Sequence, residues 1–156
     1  MEQQELIKRA EEKFKETKHE LGFKASFEEL DKVFFIRDGV MKAGFVSDNF
    51  SRQICARIVE SLMSWNNYLH GLIMPNPQNL LNFTESKSVK TEEERKQITK
   101  IMKRAMAFAS TNTLVGLTKN RKEEAEFIDE SLKFWNEEFS PILTVIMKKV
   151  NDNWKD

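Results

Sequence analysis

Between Ile128 and Val150 the apolar residues Ile128, Leu132, Trp135, Phe139, Ile142, Ile146 and Val150 recur at intervals of three and four. That spacing lines them up along one side of a helix and matches the seam of a left-handed bundle, so the chain is predicted to fold by packing helices. Pro141 interrupts the stripe: it has no N–H to donate, and its ring meets the carbonyl one turn back. A kink just upstream of it, or a broken helix, is predicted.

Four earlier segments carry the same signature. A first helix is predicted over about Gln3–Leu21, with Ile7, Ala10, Phe14 and Leu21 inward and Gly22 as C-cap. Ser26 and Glu29 form a capping box that opens a short second helix through Phe27, Leu30, Phe34 and Met41, ending near Gly44. Ser47 is the expected N-cap of a third, with Phe50, Ile54, Ile58, Leu62, Trp65, Leu69 and Leu72 inward, ending by Pro75 and Pro77. Thr91 with Glu94 starts a fourth whose core face is Ile98, Ile101, Ala105, Phe108 and Ala109. Asn120 with Glu123 starts the fifth, which carries the long stripe.

Five glycines and three prolines in 156 residues are too few for a turn-rich sandwich or barrel. Short connections after Leu21, Gly44 and Thr118 imply antiparallel neighbours. The expected fold is therefore all-α, an up-down antiparallel helical bundle of about five helices, four long and one short. Residues 1–156 form one domain in this reading, of a size that buries about two-thirds of its surface without disulfides or metal.

Charge narrows the function classes. Twenty-five basic residues balance twenty-five acidic ones, so there is no global attraction to nucleic acid or an anionic membrane. The basic run Lys96, Lys100, Lys103 and Arg104 has no interleaved aromatic residues and reads as a solvated face. No apolar stretch is long enough to span a bilayer. A single cysteine, Cys55, and a start without the basic-then-apolar layout of a signal peptide lead to a cytoplasmic expectation.

Several constellations invite chemistry. Glu16-x-x-His19 has the spacing that di-iron carboxylate bundles use, and His70 could join it as a surface metal site. A helical wheel turns Glu16 and His19 away from the core face, however, and no second copy exists. Glu126-x-x-Asp129 resembles the acidic pairs that hold Mg²⁺ in all-helical nucleotide pyrophosphatases, with Glu28 and Glu29 as the only dense facing candidates. Charge matched to helix starts accounts for both pairs. No cofactor is expected.

The third helix is more informative. Its polar residues Gln53, Arg57, Glu60, Ser64 and Asn67 repeat by three and four into a narrow stripe, rich in amides and poor in charge, that reads as partly enclosed. Asn112 falls on the core side of the fourth helix at a similar height, with Arg37 and Arg52 flanking. Gln53, Arg57, Glu60, Ser64, Asn67 and Asn112 thus form either a register-fixing polar network or a pocket for a small anion. The amide-rich loop Met74–Lys90 is either a ligand clamp or a connector whose Leu80, Leu81 and Phe83 cap the bundle. Phe34, Phe35 and Ile36, and a minor stripe of Phe127, Phe134 and Val145, exceed what one bundle is expected to bury. The overall expectation is an interaction protein that forms a homodimer or covers its fifth helix with a helical partner; anion binding and Mg-dependent nucleotide hydrolysis are the alternatives.

Overall fold

A computed structural model of the chain describes residues 2–156. The described residues form eight α-helices and one π turn, with no strand: α1 (Gln3–Leu21), α2 (Phe27–Phe34), α3 (Ile36–Ala43), α4 (Phe50–Ile73), α5 (Leu80–Ser86), α6 (Glu92–Thr118), α7 (Arg121–Phe134), the π turn (Trp135–Phe139) and α8 (Ser140–Lys155). The all-α class is as expected, and the helix count is higher because two expected helices are interrupted and one loop is helical. No helix among them is long and apolar enough to cross a membrane. The chain divides into two compact units, one of residues up to Ser61 with Phe108–Lys133, the other of Leu62–Ala107 with Phe134–Asp156.

In the first unit α1 has the expected bounds but is rotated from the expected face, burying Leu6, Ala10, Phe14 and Thr17 rather than Ile7 and Leu21. Phe14 meets Phe23 and Phe27 edge to face at 5.5 and 5.1 Å, an arrangement that satisfies the ring quadrupoles. The Ser26–Glu29 capping box forms as expected and opens α2. The helix then breaks at Phe35, which takes a left-handed φ of 56° instead of continuing to Gly44. Ser61 Oγ donates to the Phe34 carbonyl and Arg57 Nε to those of Phe34 and Phe35, so α4 satisfies the acceptors that the break exposes. Arg37 crosses the break to pair with Glu28, Asp31 and Glu11, and lies 4.7 Å over the Phe27 ring. Hydrogen bonding to Glu28, with further help from Glu11 and Asp31, raises its already high pKa.

In the second unit the interruption near Pro141 is the π turn immediately upstream. Ser140 N–H reaches back five residues to the Trp135 carbonyl. Widening the turn gives the proline ring the room that an α-helical carbonyl would occupy. Trp135 stacks on Phe139 at 5.4 Å and 19°, while Arg104 binds Glu138 through two nitrogens at 3.2 and 2.7 Å. The Met74–Lys90 loop contains α5, capped by Asn79 and stapled by Asn82, which accepts from Asn76 N–H and donates to the Gly71 carbonyl. Its Leu80 and Leu81 are 75% and 65% exposed, so they do not cap a core as expected. The end of α8 ties to α5 instead: Trp154 Nε1 and Tyr68 Oη both donate to Glu85, and Asn153 donates to the Thr84 carbonyl. Burial, with the neighbouring Glu85 charge, pushes Tyr68 up to about 12.

Candidate functional site

Helix α4 begins at Phe50, three residues after the expected cap. Ser47 Oγ accepts Asn49 N–H instead, and the Asn49 carbonyl accepts from Arg52 and Gln53. From that start the polar residues of α4 fan to two sides. Gln53 accepts Ser47 N–H at 2.8 Å and donates to the Phe45 carbonyl at 3.1 Å, so its amide stitches the loop ahead of its own helix. Arg57 adds an ion pair with Glu60 at 3.0 Å to its two bonds at the α2–α3 break. Gln53, Arg57 and Glu60 line a hollow with Val40, Phe45 and Phe50. Its volume of about 170 Å³ falls below the roughly 300 to 1,000 Å³ of small-molecule sites. Ser64 and Asn67, the far end of the stripe, are exposed and belong to the second unit.

Asn112 is half-buried, but neither Gln53 nor Arg57 is its partner. Arg52, one position earlier and therefore about 100° round the helix, is the residue that turns toward α6 and α7. Its Nη2 donates to the Asn112 backbone carbonyl at 3.3 Å, and the Asn112 side-chain oxygen is buried with no partner. Close passage of Arg52 depends on Gly116, where a Cβ would lie 2.8 Å from Nη2. The centre of this cluster is Glu124, 2% exposed, which accepts from Ser51 Oγ at 3.0 Å and pairs with Arg52 at 3.6 Å and Arg121 at 3.5 Å. Glu124 was legible as an inward residue, since it precedes Ile128 by one turn. Its place in an acidic helix start hid that signal. Cys55 is fully buried one turn from Ser51, and burial pushes its thiol up to about 12, with Glu124 adding and Arg52 opposing. It stays protonated and unreactive at neutral pH.

The acidic pairs also have structural partners. Asp129 accepts the backbone N–H groups of Lys24 and Ala25 at 2.9 to 3.0 Å and so clamps the α1–α2 connection, while Glu126 is exposed. Glu28 is committed to Arg37 and Glu29 to the capping box. Glu16 pairs loosely with Lys13 at 3.5 Å; Glu16 and His19 are exposed on α1, and His70 is exposed on α4 in the other unit. Among the described residues no group of three or more histidine, cysteine and carboxylate side chains is placed to hold a metal ion.

The expected apolar surplus is located differently. Phe34, Ile36, Phe127 and Phe134 are all buried at 3% exposure or less, leaving only Phe35 and Val145 of those groups at the surface. Helix α6 carries what the sequence reading missed. From Ala105 to Thr118 it has no charged residue. In the first unit Ser110, Thr111, Thr113, Leu114, Leu117 and Thr118 are exposed, Leu114 at 58% and Leu117 at 76%. Comparison of the chain with known protein families, curated proteins and solved structures finds no match.

Proposed function

We propose that the chain acts in the cytoplasm as an interaction protein that pairs with a second copy of itself through the exposed face of α6. The observation that carries this reading is the uncharged face that Ser110, Thr111, Thr113, Leu114, Leu117 and Thr118 expose on α6 in a chain that is 32% charged. A helix facing water ordinarily presents lysine and glutamate in quantity. This one presents hydroxyls and two exposed leucines. A two-fold pairing brings like residues together, and a face without charge does so with no repulsion. Its small hydroxyl side chains also let two helix backbones approach closely.

The face is about 13 Å long at 1.5 Å per residue, which puts the contact in the small class of interface, below about 1,200 Å² in total. Association is accordingly expected to be weak, with a Kd of about micromolar or higher. The anion-binding reading has less support, because Gln53 and Arg57 are committed to backbone carbonyls and their hollow is small. Magnesium-dependent hydrolysis has less still, with Asp129, Glu28 and Glu29 each bound to protein groups.

Sedimentation velocity over a wide concentration range tests the proposal. Wild-type protein is expected to shift from monomer toward dimer as concentration rises. The double variant Leu114→Lys with Leu117→Lys is expected to stay monomeric with unchanged circular dichroism. A wild-type chain that stays monomeric throughout refutes the reading, as does a dimer indifferent to the two lysines.

A further inference from the structure

The second unit exposes an apolar surface of a different kind. From Gly71 to Thr84 the chain carries no charged residue. Within that run Met74, Leu80 and Leu81 are 67%, 75% and 65% exposed, with Phe83 at 38%. Trp154 extends the patch from the end of α8, where its indole is half exposed and its Nε1 donates to Glu85 of α5. The α6 face offers small hydroxyl side chains that suit close helix packing, whereas this one presents long aliphatic chains. An exposed apolar group of that kind marks a contact.

The backbone of the segment is closed on itself. Asn82 Oδ1 accepts Asn76 N–H at 2.7 Å, Asn76 Oδ1 accepts that of Gln78 at 3.0 Å, and Asn79 Oδ1 accepts that of Asn82 at 3.1 Å. The carbonyls of His70, Asn76 and Asn79 take the N–H groups of Met74, Asn79 and Phe83. Pro75 and Pro77 have none to satisfy. Between Met74 and Phe83 that leaves the N–H groups of Leu80 and Leu81, in the first turn of α5, for outside acceptors. A segment bonded in this way loses little when it leaves water, whereas an open loop would strand its donors.

Its flanks match a boundary between water and lipid. Lys87 Nζ lies 4.9 Å over the Phe83 ring, which puts a long stem with a charged end at the edge of the patch, as in lysines that snorkel. Trp154 and Tyr68 both donate to Glu85, so two amphipathic rings have their polar ends bonded at the same place. In the flanking segments Lys87, Lys90 and Lys155 are balanced by Glu85, Asp152 and Asp156. Attraction to a surface here is therefore apolar and not electrostatic. We propose that the Met74–Phe83 segment docks on a lipid bilayer, with Met74, Leu80 and Leu81 entering the headgroup boundary and Trp154 and Lys87 at the rim. At that depth lipid ester oxygens can accept from Leu80 and Leu81. The contact uses none of the α6 face and does not rest on self-association.

The full chain with Gln78→Cys, at an exposed position, labelled with a polarity-sensitive fluorophore reads the contact directly, because Cys55 is buried. Adding small phosphatidylcholine vesicles is expected to raise and blue-shift the emission saturably. The same label at Glu12→Cys, on the exposed side of α1, is expected to stay silent. Raising sodium chloride from about 0.1 to about 1 M is expected to change the half-saturating lipid concentration less than about twofold, since little of the attraction is screened. Leu80→Glu with Leu81→Glu is expected to weaken binding at least roughly tenfold with circular dichroism unchanged. If that pair does not fold, Leu80→Ser with Leu81→Ser decides in its place. No response to phosphatidylcholine, an equal response at Glu12→Cys, a response that needs anionic phosphatidylglycerol or vanishes in salt, or unchanged binding in the leucine variants would each overturn the proposal. So would an emission rise on adding unlabelled protein without vesicles, which would make a second copy the occupant.

Discussion

Glu124 shows how much one residue can hold in a chain of this size. Its carboxylate is almost wholly enclosed, yet Ser51, Arg52 and Arg121 reach it from two helices. Removing it takes away the Ser51 bond and both ion pairs, but Arg52 and Arg121 are partly exposed and can turn to water, so Glu124→Ala is expected to cost about 1 to 3 kcal/mol in denaturant unfolding. Asn112 is its opposite. Its buried side-chain oxygen has no partner, and Arg52 uses only its backbone carbonyl. The sequence pattern predicts Asn112→Leu to be disruptive, whereas the geometry makes that change neutral or stabilising, because it removes an unsatisfied acceptor. A loss of more than about 1 kcal/mol in Asn112→Leu would show that the amide is engaged after all.

At the scale of elements, local signals and tertiary overrides separate cleanly. Gly22 and Gly44 end α1 and α3 at φ near 80°, where a side chain is strained. Lys119 occupies the same region between α6 and α7 at φ 54° without being glycine. Lys119→Gly is therefore expected to raise stability by about 1 kcal/mol and Gly44→Ala to lower it by a similar amount in thermal melts. A destabilised Lys119→Gly would mean that the lysine earns its strained place through contacts of its own. The caps at Ser26, Thr91 and Asn120 lie where they were expected, because they act within one helical turn, whereas the expected cap at Ser47 does not form and the buried face of α1 is rotated. The break at Phe35 carries no glycine or proline to announce it. It is held by Arg57 and Ser61 from a helix more than twenty residues away, and no local pattern encodes that. The candidate site was legible only in part for the same reason. Gln53 and Arg57 were visible as an enclosed polar stripe, but whether they face a ligand or a backbone carbonyl depends on what packs opposite.

For the molecule as a whole, the polar residues that looked most available for chemistry turn out to hold the fold together. Arg37, Arg57, Asp129 and Glu124 each bind backbone or charged neighbours within their own unit. Among the described residues α6 leaves an uncharged face outward, as the segment Met74–Phe83 also does, and self-association through α6 is the central claim. Placed cysteines test it most directly, because the one native cysteine, Cys55, is 0% exposed and will not interfere. Ser110, Thr113, Leu114 and Leu117 would be changed to cysteine one at a time, oxidised, and compared on non-reducing gels with Glu12→Cys on the exposed side of α1. The expected result is a disulfide-linked dimer of twice 18.3 kDa from at least one α6 position and none from Glu12. Cross-linking from α6 no stronger than from Glu12 would contradict the account.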